Sequence, residues 1–195
     1  MNQVANKLSL QEFLALPQSS DAFGGSLCDH RYEFVEGQLK AKMSPKYKHA
    51  NSQGRLFRLL DEWCDRVGTG RVCPEWGVVL RRNLEDWVPV PDLTYVSYQR
   101  LPQEWDLDEA CPVLPELVVE IISPGQTFGQ MTQKATDYLL AGVDRVWVVD
   151  TIAQSVTVFV QGNLPQTFWS EETIEDPLLP GLVLPVSRLF AKKGE

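Results

Sequence analysis

The stretch LVVEIISP, residues 117–124, constrains the fold of this chain more than any other. Near-continuous aliphatic residues of this kind read as a strand covered on both faces. Glu120 stands in the middle of it. An unpaired carboxylate is costly to bury, so Glu120 demands a partner, a metal or a proton from the rest of the chain.

The residues after this strand set the fold class. GQTFGQMTQKATDYLLAG reads as a helix, with Met131, Ala135, Tyr138 and Leu139 on one face and Gly142 as its stop. VDRVWVVD then reads as a strand, giving a strand–helix–strand unit over residues 117–150. Upstream, Ser9 and Glu12 form a capping box for a short helix closed by Pro17, and SSDAFGGS is loop. RYEFVEGQLKAKMSP predicts a hairpin turned at Glu36-Gly37. PKYKHANSQGRLFRLLDEWCDRVG predicts a helix through Leu56, Leu59, Leu60 and Trp63, ending at Gly68. RVCPEWGVVLRR reads as one strand interrupted by Pro74, NLEDWVPVP as a loop, and DLTYVS as a strand. Residues 98–115 read as loop with a short helix, SVTVFV and QTFWS as a strand pair, and LPGLVLPVSRLF as a tail docked on the body. Together these predict a single α/β domain over residues 1–195, with an N-terminal helix and hairpin at 8–44, a core at 45–150, and C-terminal strands and tail at 151–195.

Bulk properties narrow the function. A length of 195 residues with a hydrophobic share of 44% suits one folded domain. No apolar run is long enough to span a bilayer, and the N-terminal residues lack a leader pattern, so a cytoplasmic location without membrane contact is expected. Cys28, Cys64, Cys73 and Cys111 form no CxxC pair, and neither His30 nor His49 completes a zinc spacing, so the cysteines read as reduced structural thiols. The net charge of −8 argues against a general nucleic-acid coat, but not against an enzyme with one local basic face or a metal in its site.

Asp92, after Pro91, opens the strand DLTYV and is the partner expected for Glu120. Two carboxylates at close range repel unless a cation lies between them. A hard divalent ion accepts one or two carboxylates, waters and phosphate oxygens. Lys134, on the helix after Glu120, could activate a water or neutralise a pentavalent phosphorane. The bland alternatives are a turn cap for Asp92, a solvated helix face for Lys134, and an Arg ion pair for Glu120.

VPVPDLTYVS, PELVVEIISP and TFGQMTQKATDYLLAGVDRVWVVD, in this order and with SLQEFLALP, RYEFVEGQLKAKMSP, KHANSQGRLFRLL and LPGLVLPVSRLF around them, resemble the Uma-type family of bacterial restriction-endonuclease-like proteins, within the PD-(D/E)XK nuclease superfamily. The resemblance implies a restriction-endonuclease-like α/β domain with a mixed central sheet flanked by helices. It implies a metal-dependent endonuclease acting on phosphodiester bonds in DNA, with Mg2+ or Mn2+ as cofactor, nucleic acid as partner and a homodimer as a form many relatives adopt. Asp92 and Glu120 match the acidic metal ligands. The superfamily's lysine position two residues after the Glu is Ile122 here, and Lys134 on the helix is the matching substitute. Glu33 matches an upstream acid that could complete the metal shell, or else pairs with Arg31 or a Lys. His49 matches a histidine at the start of the long helix, where it could touch phosphate or water, or simply pack; Gln53 shares its face.

Trp76, Trp87 and Trp105 could stack on bases or pack in the core. Arg81, Arg82 and Arg100, with the lysines at 40–48, could form a local basic face or a solvated one. No phosphate-binding glycine loop and no GxSxG motif is present. The alternative to the nuclease is a catalytically silent binding module, for nucleic acid or protein, on the same fold.

Overall fold

The computed structural model describes residues 7–16 and 32–191. The expectations on Pro17, the loop at 19–26, Cys28, His30 and Arg31 lie outside the described residues. The first helix, α1 (Leu10–Leu14), carries the expected capping box: Ser9 Oγ accepts from the Glu12 amide, and Glu12 Oε2 accepts from the Ser9 amide. Strands β1 (Tyr32–Val35) and β2 (Gln38–Ala41) form the expected hairpin. Its turn has positive φ at both Glu36 (53°) and Gly37 (84°), the backbone a tight two-residue hairpin requires. Helix α2 (Tyr47–Val67) buries His49, Ser52, Leu56, Leu59, Leu60, Trp63 and Cys64 along one side, and Gly68 closes it in the left-handed region.

The next segment differs from the sequence expectation. RVCPEWGVVLRR is two strands in two sheets. Strand β3 (Gly70–Pro74) ends at Pro74, and β4 (Leu80–Arg82) pairs with β5 (Glu85–Val88), which was expected as loop. The turn between β4 and β5 is Asn83-Leu84, both at positive φ. The polar segment 98–115 that follows β6 (Leu93–Ser97) contains no helix. Then come β7 (Leu117–Ile121), α3 (Phe128–Leu140), β8 (Arg145–Asp150), β9 (Ser155–Val160) and β10 (Gln166–Trp169). A docked tail follows, of β11 (Thr173–Ile174), β12 (Leu184–Pro185) and α4 (Ser187–Phe190).

The central sheet has the order β10-β9-β8-β7-β6-β3 and is mixed: β7 and β8 are parallel, and the other neighbours antiparallel. A parallel pair needs a crossover, and α3 supplies it. A second sheet, β2-β1-β5-β4, lies beside it.

Alternation along β7 feeds two cores. Leu117, Val119 and Ile121 join α2 and the tail residues Leu179, Leu182, Leu184, Val186 and Leu189. Val118 joins Met131, Ala135 and Tyr138 of α3, with Leu80 and Trp87 of the second sheet. Both faces of β7 are therefore covered, as its aliphatic run requires. Glu120, two residues after Val118, shares its face and points towards α3.

Candidate active site

Glu120 is 5% exposed, and two side chains of α3 reach it. Tyr138 Oη donates to Glu120 Oε1 at 2.6 Å, and Lys134 Nζ lies 3.0 Å from the same oxygen. These residues are four apart on the helix, so both project from one face, and the crossover sets that face on β7. Lys134 also donates to Glu33 Oε1 at 2.7 Å, bringing in β1. The Val90 amide approaches the same Glu33 oxygen at 3.4 Å. Glu33 is thus a buried acid paired with a lysine. Burial pushes the Glu120 pKa up, the Asp92 and Glu33 charges add to it, and the Lys134 charge offsets part of this. Burial works against the charged form of Lys134, but Glu120 and Glu33 outweigh it and raise its pKa, so Lys134 is a fixed cation.

Asp92 stands one step past the β6–β7 ladder, in which Leu93 pairs with Val119, and so lies across from Glu120. It is 1% exposed and both its oxygens are engaged. Oδ2 accepts from the Ile121 amide at 2.6 Å and from His49 Nε2 at 3.0 Å. Oδ1 accepts from Lys42 Nζ at 2.8 Å. Burial acts to raise the Asp92 pKa; the His49 hydrogen bond and the Lys42 charge overcome it and hold the carboxyl down at about 2. Gln53, one turn after His49, donates to the Asp92 carbonyl and to Glu75 Oε1, both at 2.9 Å.

The structure therefore brings Glu33, His49, Asp92, Glu120 and Lys134 into one buried cluster, with Gln53 at its edge. Lys42, Glu75 and Tyr138 belong to it without having been singled out for it. Tyr138 read as a packing residue of the apolar helix face, which it also is, against Trp87. Glu75 had a weak signal, since Pro74-Glu75 repeats the proline–acid pattern of Pro91-Asp92, the first leaving β3 and the second leading into the antiparallel β6 beside it. Lys42 had none, being one of several lysines between 40 and 48.

Trp76, Trp87, Trp105, Arg82 and Arg100 resolve as packing and ion pairs. Trp87 is a core residue, and Trp76 and Trp105 pack on each other with ring centroids 5.7 Å apart. Arg82 is paired with Glu36 and Asp137, and Arg100 with Glu116 and Asp144. Those arginines and Lys42 do not form the free basic face the sequence left open, because acidic partners neutralise them.

Asp92 and Glu120 offer hard oxygen donors of the kind Mg2+ or Mn2+ takes in ones and twos, with waters and phosphate oxygens completing the shell. Glu33 and Glu120 are paired with Lys134, and Glu75 and Asp92 with Lys42. These donors are of the type that suits a divalent ion. Among the described residues no group of three or more His, Cys, Asp or Glu side chains is arranged to hold one as it stands; Asp92 is paired with Lys42 and Glu120 with Lys134.

A crystal structure titled a "putative nuclease belonging to DUF820" from Anabaena variabilis ATCC 29413 superimposes with a TM-score of 0.75, at 24% identity, covering 94% of this chain and 97% of that one. That likeness shows a shared fold, a mixed α/β domain with a central mixed sheet flanked by helices, as expected from the sequence. A DrdV–DNA complex matches with a TM-score of 0.36 and 18% identity over 58% of this chain and 65% of that one. Among curated proteins none matches. The Uma2 family, described as "Putative restriction endonuclease", matches residues 10–187. With that match running from α1 into α4, the chain belongs to the Uma2 family.

Proposed function

We propose that the chain is a metal-dependent endonuclease that hydrolyses phosphodiester bonds, with DNA as its substrate. The observation that carries this reading is the convergence of Glu33, Asp92, Glu120 and Lys134, from β1, the start of β6, β7 and α3, on one buried cluster. The catalytic core is the segment 45–150, and Glu33 and Lys42 reach it from the N-terminal hairpin region.

Asp92 and Glu120 would hold Mg2+ or Mn2+, with Glu33 as a further acid within reach of the same region. A bound divalent ion supplies a water of lowered pKa and positive charge against the phosphate. His49 and the Ile121 amide fix the Asp92 carboxylate, and Tyr138 fixes that of Glu120, so neither must reorganise as substrate arrives. Lys134 stays protonated between two carboxylates, so it serves as a charge for the phosphorane oxygens and not as the base. A homodimer would bring a second site to the opposite strand of a duplex, and a cytoplasmic setting suits reduced thiols.

The test is cleavage of supercoiled plasmid with Mg2+ or Mn2+ by the wild type and by Asp92→Ala, Glu120→Ala and Lys134→Ala. The reading predicts cleavage by the wild type alone. It fails if the folded wild type leaves the plasmid intact with either ion. A catalytically silent binding module is the second reading, favoured by the engagement of both Asp92 oxygens before any ion arrives.

A further inference from the structure

Lys42 is one of three members of the cluster, with Glu75 and Tyr138, that the sequence did not single out. It lies just past β2, and its ammonium is held by three oxygens: Glu75 Oε2 at 2.7 Å, Asp92 Oδ1 at 2.8 Å and the Val90 carbonyl at 2.8 Å. That is a cation site built from two carboxylates and a main-chain carbonyl. Its side chain is 17% exposed, so little water competes for it. The other Asp92 oxygen is already taken by His49 and the Ile121 amide. A divalent ion bonded to Asp92 Oδ1 at about 2.0–2.1 Å would stand within a few ångströms of the ammonium on the same oxygen, and the two cations repel. Glu75 offers Lys42 a place to remain once Asp92 is given up.

We propose that Lys42 is a tethered cation that occupies the position of the divalent ion at Asp92, so that metal must displace it, and that Lys42 thereby sets the metal affinity of the site. This rests on the metal-nuclease reading. In the metal-free protein the ammonium neutralises Asp92 and keeps the cluster folded. When an ion binds, Lys42 swings off Asp92 towards Glu75 and solvent, and it competes again when the ion leaves. The competition penalises weakly bound monovalent and divalent ions alike, so only ions at sufficient concentration load the site.

The experiment is calorimetric titration of the full chain with Mn2+ alone, for the wild type, Lys42→Met and Asp92→Asn. Loss of one charge-assisted contact from the competing state predicts Mn2+ binding by Lys42→Met that is roughly ten- to a hundredfold tighter than by wild type. Asp92→Asn should lose binding. Lysine acetylation of the wild type, read by mass spectrometry, requires no variant to fold: labelling of Lys42 should rise when Mn2+ is added. Equal or weaker Mn2+ binding by folded Lys42→Met, or Lys42 labelling unmoved at saturating Mn2+, overturns the proposal while the metal site stands. Absence of Mn2+ binding by both wild type and Lys42→Met overturns the metal reading and this proposal together.

Discussion

Lys134 Nζ lies 2.7 Å from Glu33 Oε1 and 3.0 Å from Glu120 Oε1, so a single cation from α3 joins an acid of the small sheet to an acid of the central one. The lysine is the partner that a carboxylate buried at Glu120 requires, and this role is structural whatever its part in chemistry. Removing one partner of a buried ion pair leaves the other charged and unsolvated, at a cost of about 3–5 kcal/mol. Lys134→Met should therefore lower the melting temperature, by about 2–4 °C for each kcal/mol lost in a chain of this size. Adding Glu120→Gln to that variant should recover part of the loss, because the uncompensated charge is gone. Thermal unfolding followed by circular dichroism decides the point. A Lys134→Met protein that melts with the wild type would mean that the ammonium is not neutralising these carboxylates.

Tyr138 provides a gentler test of the same site. Its hydroxyl donates to Glu120 at 2.6 Å while its ring packs on Trp87, with centroids 4.7 Å apart. Tyr138→Phe keeps the ring and deletes the donor. The expected cost is about 1–3 kcal/mol, the penalty of leaving a buried acceptor short of a partner. In urea the midpoint should fall with an unchanged m-value, since the surface exposed on unfolding is the same.

The parts of the fold that were legible in the sequence are those where local chemistry and burial agree. Gly68 and Gly142 lie at positive φ just past α2 and α3, and the β7 run is apolar on both sides because both sides are packed. Glu120 was legible because a charge set among aliphatic residues must be answered by a counter-charge, a metal or a proton; Asp92 and Lys134 were placed beside it by their order in the chain and by the family resemblance, and the counter-charge on Glu120 is Lys134. Lys42 was not, because nothing local distinguishes a lysine that folds back onto an acid 50 residues later from one that faces water. The β4–β5 hairpin was missed for a different reason. Its turn is Asn83-Leu84, and a leucine at the second central position conceals the glycine signal by which such turns are recognised. Pro74 then looked like an interruption of one strand, when it is the point at which the chain leaves the central sheet.

That leucine leads to a stability prediction. Leu84 has φ of 66° and is 86% exposed, so it bears the left-handed penalty and gains almost no burial in return. Glycine has no Cβ to strain there, although it loses more chain entropy on folding. Leu84→Gly should be net stabilising by about 0.5–1 kcal/mol. The hydrogen bond from Arg81 to the Leu84 carbonyl involves the main chain and survives the change. Leu84→Val, β-branched and less tolerant of this conformation, should shift the urea midpoint the opposite way. If Leu84→Gly is destabilising, the turn is not strained at this residue.

The buried thiols make stability fall in alkali. Burial raises the Cys64 pKa from 9.0 to about 12, reinforced by Asp61 and Asp65, and raises Cys111 to about 11; burial moves Cys73 the same way, with Arg71 opposing it. An acid whose folded pKa is raised keeps its proton where the unfolded chain has released it. The unfolded state then binds fewer protons, so stability declines as pH rises. The contribution is fully present below pH 9 and is lost progressively towards pH 11–12; Tyr95, whose pKa is also raised by burial, acts in the same sense. Urea midpoints at pH 8, 9 and 10 should therefore decrease in order, and Cys64→Ala should flatten the decrease while lowering the value at pH 8. In a Cys28→Ser background, native protein at pH 8 should react with a thiol reagent far more slowly than the unfolded chain, because the thiolate is the reacting form. A flat urea midpoint from pH 8 to 10, or rapid native labelling of Cys64, would show that these thiols ionise as freely in the fold as in water.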